Sequence, residues 1–364
     1  MPKKPEWTPE ENNPAFATKV QEGVSNTGKQ KKNPSLKPAH HDADYYIAGI
    51  RKSDSAILAR AITILESNAE KHFQLKQEIL SKIIKLSGNS LRIGITGAPG
   101  AGKSTFIDTL RTILCEQGHK LAVLAIDPSS SVSGGSILGD KTRMENLARH
   151  KNAFIRPAPS GDNLGGVARK TRESIIACEA GGYDIIFVET IGVGQSEITV
   201  RSMVDFFLLI LLPGEGDELQ GLKKGNVELA DAIIINKADS DNLKAANITK
   251  QQYQQAVHYI LPATKGWHTK VLTASALNNI NINKIWEIIK EFEKITKSSG
   301  IYYERRKEQR LSWFHFLLQD ELFDIFYNNK NIKNILPKMG TKIKDNNISV
   351  STAVNELINI FLKK

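Results

Sequence analysis

With 364 residues and 40% hydrophobic side chains, the chain can bury one large core with appendages, and this composition excludes a wholly disordered protein. The formal charge of +10 invites a nucleic-acid reading, yet residues 1–38 hold a net +3 and residues 294–364 a net +6, leaving +1 for everything between; such charge describes solvated ends rather than a groove-reading patch. Cys115 and Cys178 are too few for a disulfide scaffold or a cysteine metal site, so a reducing compartment is expected.

Met1 to Pro38 is polar, without an apolar core, and contains four Glu and no Arg. That disfavours a secretory signal and a mitochondrial transit peptide; a polar, flexible tail on a cytoplasmic protein is expected. Residues 39–88 form the next segment. Ile57, Ala61, Ile64 and Leu65, then Leu75, Ile79 and Ile83, recur at helical spacing and predict a helical pair.

From Leu91 the pattern changes to short apolar runs separated by helical stretches. The predicted strands are Leu91–Thr96, Leu121–Ile126, Tyr183–Glu189, Val204–Leu212, Ala232–Asn236 and Lys270–Thr273. Nearly continuous apolar strands alternating with helices imply a doubly wound, mostly parallel α/β sheet covered on both faces, over residues 89–295. The longest such run, Phe206–Leu212, falls far short of the ~20 residues that cross a bilayer. After Ser298-Ser299-Gly300, residues 296–364 form a C-terminal helical extension. It opens on the charged stretch Glu304–Glu308 and continues into a stripe of Leu311, Phe314, Leu318, Leu322 and Ile325. Periodicity alone leaves open whether this stripe packs on its own domain or meets a partner.

Gly97-Ala98-Pro99-Gly100-Ala101-Gly102-Lys103-Ser104 matches the phosphate-binding loop and lies between a strand and the amphipathic helix Lys103–Glu116. The glycines let backbone N–H groups turn around phosphate oxygens, and the helix N-terminus adds partial positive charge. Lys103 is expected to reach the β- and γ-phosphates and Ser104 to ligate Mg²⁺, with Thr105 beside them. A second motif, Asn236-Lys237-Ala238-Asp239, ends a strand. A carboxylate there accepts from the ring N–H and exocyclic amine of guanine, whereas adenine presents an acceptor and repels it. After the next strand, the N–H of Ser275 or Ala276, with Leu277 following, is expected to meet the guanine oxygen. Between the motifs, Asp127, Asp140 and Glu189 are candidate metal ligands; Asp127 and Glu189 end strands at the carboxyl edge, where acids face the ligand crevice.

The intervening blocks carry a more specific likeness. Ala125–Ser130, Gly135–Met144, Gly165–Glu173, Glu189–Glu197 and Gly216–Lys223, in this order, closely resemble the MeaB/ArgK-type GTPases, relatives of the human methylmalonic aciduria type A protein. The resemblance spans roughly residues 45–330. It implies a P-loop GTPase fold of the SIMIBI type and a chaperone of adenosylcobalamin-dependent methylmalonyl-CoA mutase that gates cofactor loading and protects the mutase. It further implies Mg²⁺ held by Ser104, Asp127, Asp140 and Glu189, and a coupling loop, residues 214–224, in which Asp217, Gln220 and Lys223 are candidates. A homodimer through the C-terminal extension is also implied. Asp162-Asn163 and Glu215 depart from the family pattern, which bears on partner specificity.

Phosphoryl transfer to water needs mainly positioning and charge neutralisation. No residue identifies itself as the group that orients the water, and Gln195 is one candidate. Slow intrinsic hydrolysis is therefore expected, with Lys223 or Arg143 supplying charge when a partner binds. The competing readings are a nickel-inserting GTPase, for which His40-His41-Asp42 is the only cluster, a kinase of a transport binding protein, and a nucleotide-binding scaffold without turnover.

Overall fold

Alternation along each strand builds two cores at once. In the strand β1 (Leu91–Gly97), Leu91, Ile93 and Ile95 point to one face of the sheet. In β4 (Ile185–Thr190), Ile185 and Phe187 take that same face while Ile186 and Val188 take the other. A strand buried on both sides has no polar face to show, which is why these segments are continuous apolar runs. The computed structural model describes residues 41–126, 151–157, 164–190, 196–214 and 224–362. Asp127, Asp140, Arg143, Gln195, Asp217, Gln220 and Lys223 lie outside them.

The remaining strands are β2 (Leu121–Ile126), β3 (Ala153–Arg156), β5 (Phe206–Leu211), β6 (Ala232–Ile235) and β7 (Lys270–Thr273). They order as β3-β2-β4-β1-β5-β6-β7, and every neighbouring pair is parallel. The expected mostly parallel sheet is thus wholly parallel among the described residues. Sequence reading missed β3, a four-residue edge strand ending in a charged Arg156, too short to display a period.

One face is covered by α4 (Lys103–Glu116) and α9 (Ile282–Ser298), which contribute Phe106, Leu110, Trp286, Ile289 and Phe292. The opposite face receives α1 (Ala43–Arg51), α2 (Ser55–Leu65), α3 (Phe73–Ile83) and α5 (Leu164–Ala180). The predicted helical pair corresponds to α2 and α3; α1 adds a third helix, nine residues long, with Gly49 inside it. Its start is fixed by Asp42, whose Oδ1 accepts from the Tyr45 N–H at 2.9 Å, and Asp54 caps α2 in the same way. Asp42 of the His40-His41-Asp42 cluster is therefore a helix cap.

Further along come α6 (Ser196–Arg201), α7 (Lys224–Leu229) and α8 (Leu243–His258), the last packing against β6 and β7 with Ala246 and Tyr253 buried. The extension consists of α10 (Ile301–Asn328), α11 (Lys330–Lys344) and α12 (Val350–Leu362); the last two share a small core of Ile332, Met339, Ala353 and Leu357. Asp42–Lys364 forms one compact unit. No helix among the described residues is long and apolar enough to cross a membrane.

The start of α10 docks on the amino-terminal edge of the sheet. Arg306 donates from Nε and Nη2 to the Asp205 carboxylate, which immediately precedes β5, at 2.7 and 2.6 Å. The same guanidinium reaches Gly88 O at 2.6 Å and Ser90 O at 2.5 Å, and Asp205 also accepts from the Arg92 N–H and the Tyr302 hydroxyl. Burial pushes the Asp205 carboxyl up, but the Arg306 hydrogen bonds and charge, helped by Arg92, outweigh it and hold the group below its ordinary value. Beside it Asp231, which precedes β6, pairs with Arg201 at 2.6 Å.

Arg306→Ala leaves Asp205 buried without its countercharge and is expected to destabilise the fold by about 3–5 kcal/mol. Because the folded-state value of Asp205 is depressed, this contribution is complete above the ordinary carboxylate range, about 3.9, and is lost as acid titrates the folded carboxylate. Urea denaturation of both proteins as a function of pH checks it; a pH-independent loss under about 1 kcal/mol would contradict the account.

Candidate functional site, a nucleotide cleft at the carboxyl edge of the sheet

The chain leaves β1 through a turn that only glycine permits. Gly97 has φ 151°, and a Cβ there would stand 2.1 Å from the Ile210 carbonyl oxygen of the neighbouring strand. Gly102 closes the loop at φ 87°, where a Cβ would lie 2.5 Å from Asn236 Nδ2. The loop therefore runs hard against β5 on one side and the β6 terminus on the other, and Pro99 and Gly100 remain exposed between.

Lys103 opens α4 with its ammonium folded over the loop, donating to Gly97 O at 2.8 Å and Ala98 O at 3.2 Å. Burial pushes its pKa down, opposed by the negative charges of Glu189 and Glu197. Ser104 Oγ donates to Glu189 Oε1 at 3.1 Å, so the hydroxyl and the strand-terminal carboxylate meet at the edge between β1 and β4. Next to them the Thr190 hydroxyl donates to Thr96 Oγ1 at 2.9 Å and ties the two strands together at that edge. A hydroxyl beside a carboxylate is an all-oxygen donor pair, which fits Mg²⁺ better than a softer ion. Asp127 and Asp140, the other two expected ligands, lie outside the described residues.

The second motif forms the far wall. Asn236 is buried at the end of β6; its Nδ2 donates to Ala101 O at 2.8 Å and its Oδ1 accepts from the Ala276 N–H at 3.1 Å. One amide thus joins the phosphate loop to the loop after β7. Lys237 takes a left-handed conformation at φ 57° and is exposed. Asp239 is half-buried and accepts a hydrogen bond from the Ser275 hydroxyl, which in turn accepts from the Asn278 N–H. The pairing holds the Asp239 carboxylate at the mouth of the cleft.

The expectation that the Ser275 or Ala276 N–H is open to a guanine oxygen meets a different arrangement. The Ser275 N–H donates to Ile280 O at 3.2 Å, and that of Ala276 is taken by Asn236. Both serve the shape of the loop, while Leu277 beside them is strongly exposed. Thr109, to which sequence reading gave no role, braces the same loop from α4 by donating to Ala276 O at 2.9 Å. Glu197, fully buried at the start of α6, was also given no role of its own; in the sequence it only closes the block Glu189–Glu197.

Lys103, Ser104 with Glu189, Asn236 and Asp239 with Ser275 therefore line one edge, above β4, β1, β5, β6 and β7. This is where an open α/β sheet binds its ligand, and the lysine and the two carboxylates sit at distinct places along it. A further surface was foreseen as a stripe. Leu311, Phe314, Leu318, Leu322 and Ile325 of α10 are 47–58% exposed, so about half of the stripe's surface stays open to solvent.

Comparisons with known proteins agree with this geometry. Residues 58–331 match the family described as methylmalonyl Co-A mutase-associated GTPase MeaB. The chain is 42% identical over 311 residues to the GTPase ArgK of Escherichia coli, covering 85% of this chain and 94% of that protein. It is 41% identical over 328 residues to the mitochondrial methylmalonic aciduria type A homolog of Mus musculus, covering 87% and 79% respectively. Among solved structures, that of an LAO/AO transport system kinase superposes with a TM-score of 0.70 at 36% identity, over 87% of this chain and 96% of the other. On its sheet, its phosphate loop and these similarities, the chain is a P-loop GTPase and belongs to the MeaB family.

Proposed function

We propose that this GTPase serves an adenosylcobalamin-dependent acyl-CoA mutase, methylmalonyl-CoA mutase or a close relative, as a chaperone whose GTP cycle gates cofactor loading and protects the mutase. The observation that carries the nucleotide half is the placement of Lys103, Ser104 with Glu189, and Asp239 with Ser275 along one sheet edge. The partner half draws on the family description and on the relatives' names.

In this reading Asp239 selects guanine by accepting from its ring N–H and exocyclic amine, and Gly97 to Ser104 hold the phosphates. Lys103 exchanges its two loop carbonyls for β- and γ-phosphate oxygens, trading neutral acceptors for charged ones. Ser104 and Glu189, together with Asp127 and Asp140, would hold Mg²⁺, which supplies neutralisation of the charge developing on the phosphates. Lys103 is 8% exposed, so its ammonium meets the reacting phosphoryl group with little solvent around it. Arg143 and Lys223 are the proposed sources of further charge, and Asp217 and Gln220 the proposed contacts through which a mutase brings it in.

Residues 296–364 are proposed as the dimerisation extension. The stripe on α10 is an apolar surface of the kind that a second copy covers, interspersed with the charged Asp320, Glu321 and Asp324 of the same helix.

Asp239→Asn is expected to weaken GTP binding by about 1.5–3 kcal/mol and to narrow the preference over ATP. Isothermal titration with both nucleotides measures it, and an unchanged preference would overturn the guanine assignment. Lys223→Ala is expected to bring the hydrolysis rate with mutase back to the rate without it; full stimulation in that variant would refute the coupling role. Leu318→Glu is expected to convert a dimer to monomer in sedimentation, and a dimer that survives the substitution would remove the stripe from the interface.

A further inference from the structure

Leu261 and Tyr259 are the most exposed large apolar side chains among the described residues, at 89% and 88%. The next, Leu277, belongs to the nucleotide cleft, whereas these two stand on the connection from α8 to β7, to which no ligand has been assigned. Single exposed apolar residues on a loose loop are ordinary. This loop is not loose. The Thr264 hydroxyl donates to the Asp231 carboxylate, the Trp267 indole N–H to Asp231 O at 2.9 Å, and the Thr269 hydroxyl to Ala230 O at 2.9 Å. Arg201 and Arg305 both donate to the Thr264 hydroxyl, and Thr264 and Trp267 are buried. The backbone that carries Tyr259 and Leu261 is thus tied to the amino edge of the sheet, and a partner meets a surface that is already ordered.

Beside these residues lies a cavity of about 240 Å³, lined by Val227, Val257, Ile260 and Leu261 with His258 and His268. That is smaller than the ~300–1,000 Å³ of small-molecule sites and suits one bulky side chain. The charge around it has a single sign over a long stretch. From Asn242 to Trp286 the chain has five Lys and two His and neither Asp nor Glu. Lys250, Gln254 and His258 follow one another at i, i+4 spacing on α8 and lead along one side of the helix to the cavity, while Lys265 and His268 are exposed on the loop. Against them stands Glu228, exposed next to Val227 on α7. A basic border favours an anionic occupant. A nucleic acid has no bulky apolar side chain to fill the cavity, so the pairing of an apolar seat with lysines favours a polypeptide.

We propose that this corner between α8 and β7 is a docking surface for an acidic segment of another protein. One bulky apolar side chain of that segment fills the cavity and packs on Tyr259 and Leu261, and the carboxylates flanking it meet Lys250 and Lys265. The surface is separate from the stripe on α10 and does not rest on the mutase reading.

A display library of random dodecapeptides, selected at low salt on the full chain, tests it. Sequences recovered on the wild type are expected to carry one Leu, Phe or Trp flanked by Asp or Glu. The tightest of them, labelled with fluorescein, is expected to bind Leu261→Ser and the double variant Lys265→Glu/His268→Glu roughly tenfold more weakly or worse in fluorescence anisotropy. All three positions are exposed, so thermal melting and basal GTP hydrolysis of both variants are expected to match the wild type. Recovered peptides no more acidic than the starting library, or equal affinity for the wild type and the double variant, would overturn the proposal. Tighter, charge-dependent binding of an oligothymidylate or of phosphatidylserine vesicles than of any recovered peptide would also overturn it, and would assign the surface to a nucleic acid or a membrane instead.

Discussion

Everything at the carboxyl edge hangs on one buried amide. Asn236 donates to the phosphate loop and accepts from the loop after β7, so these two loops are held at a fixed separation. Such a bridge works because both partners are backbone groups, which a side-chain rearrangement cannot withdraw. It also explains why Gly102 must be a glycine twice over: its backbone is left-handed, and the amide occupies the volume that a side chain would need. The Asp239–Ser275 pair repeats the device at the outer rim, fixing the Asp239 carboxylate, proposed to read the base, to the same loop.

The parts of this design that were legible in the sequence are those whose chemistry demands particular residues at particular spacings. A loop of N–H groups around phosphates requires Gly97, Gly100 and Gly102, and strands buried on both faces cannot be anything but apolar runs. The boundaries of β2, β7 and α4 came out as expected for that reason. What stayed hidden depends on where a residue ends up in the fold. Glu304–Glu308 looks like a solvated surface, yet Arg306 within it is 6% exposed and reaches across the sheet edge to Asp205. Glu197 looks like another exposed acid, yet it is fully buried in the first turn of α6. The use made of the Ser275 and Ala276 N–H groups is likewise tertiary: Ile280 and Asn236 claim them, and nothing in their own sequence announces it.

The two edges of the sheet carry different duties. At the carboxyl edge, charges are placed for a ligand, and at least one of them, Lys103, is held by neutral carbonyls that a phosphate outcompetes. At the amino edge, Asp205 and Asp231 are matched by arginines within the protein, and the pair Arg306–Asp205 sets the departure of α10 from the globular body. An exposed apolar stripe on a helix so anchored is presented in a fixed direction, whereas the same stripe on a loosely tethered helix would collapse onto the nearest core. The buried pairs add specificity of placement even where their net contribution to stability is modest.

The position of β1 has a consequence for how the chain is made. It is the innermost strand of the nucleotide edge, yet its neighbours, β4 and β5, come much later in the sequence: Leu91 waits for Ile185 and Ile93 for Phe206. A chain leaving the ribosome therefore carries its phosphate loop for a long interval before either neighbouring strand exists to hold it, with the edges of β1 unpaired meanwhile. Gly97 cannot adopt its final contact with Ile210 until β5 has emerged. Nucleotide binding is thereby made a late event of biosynthesis, reserved for chains that have already completed the centre of their sheet.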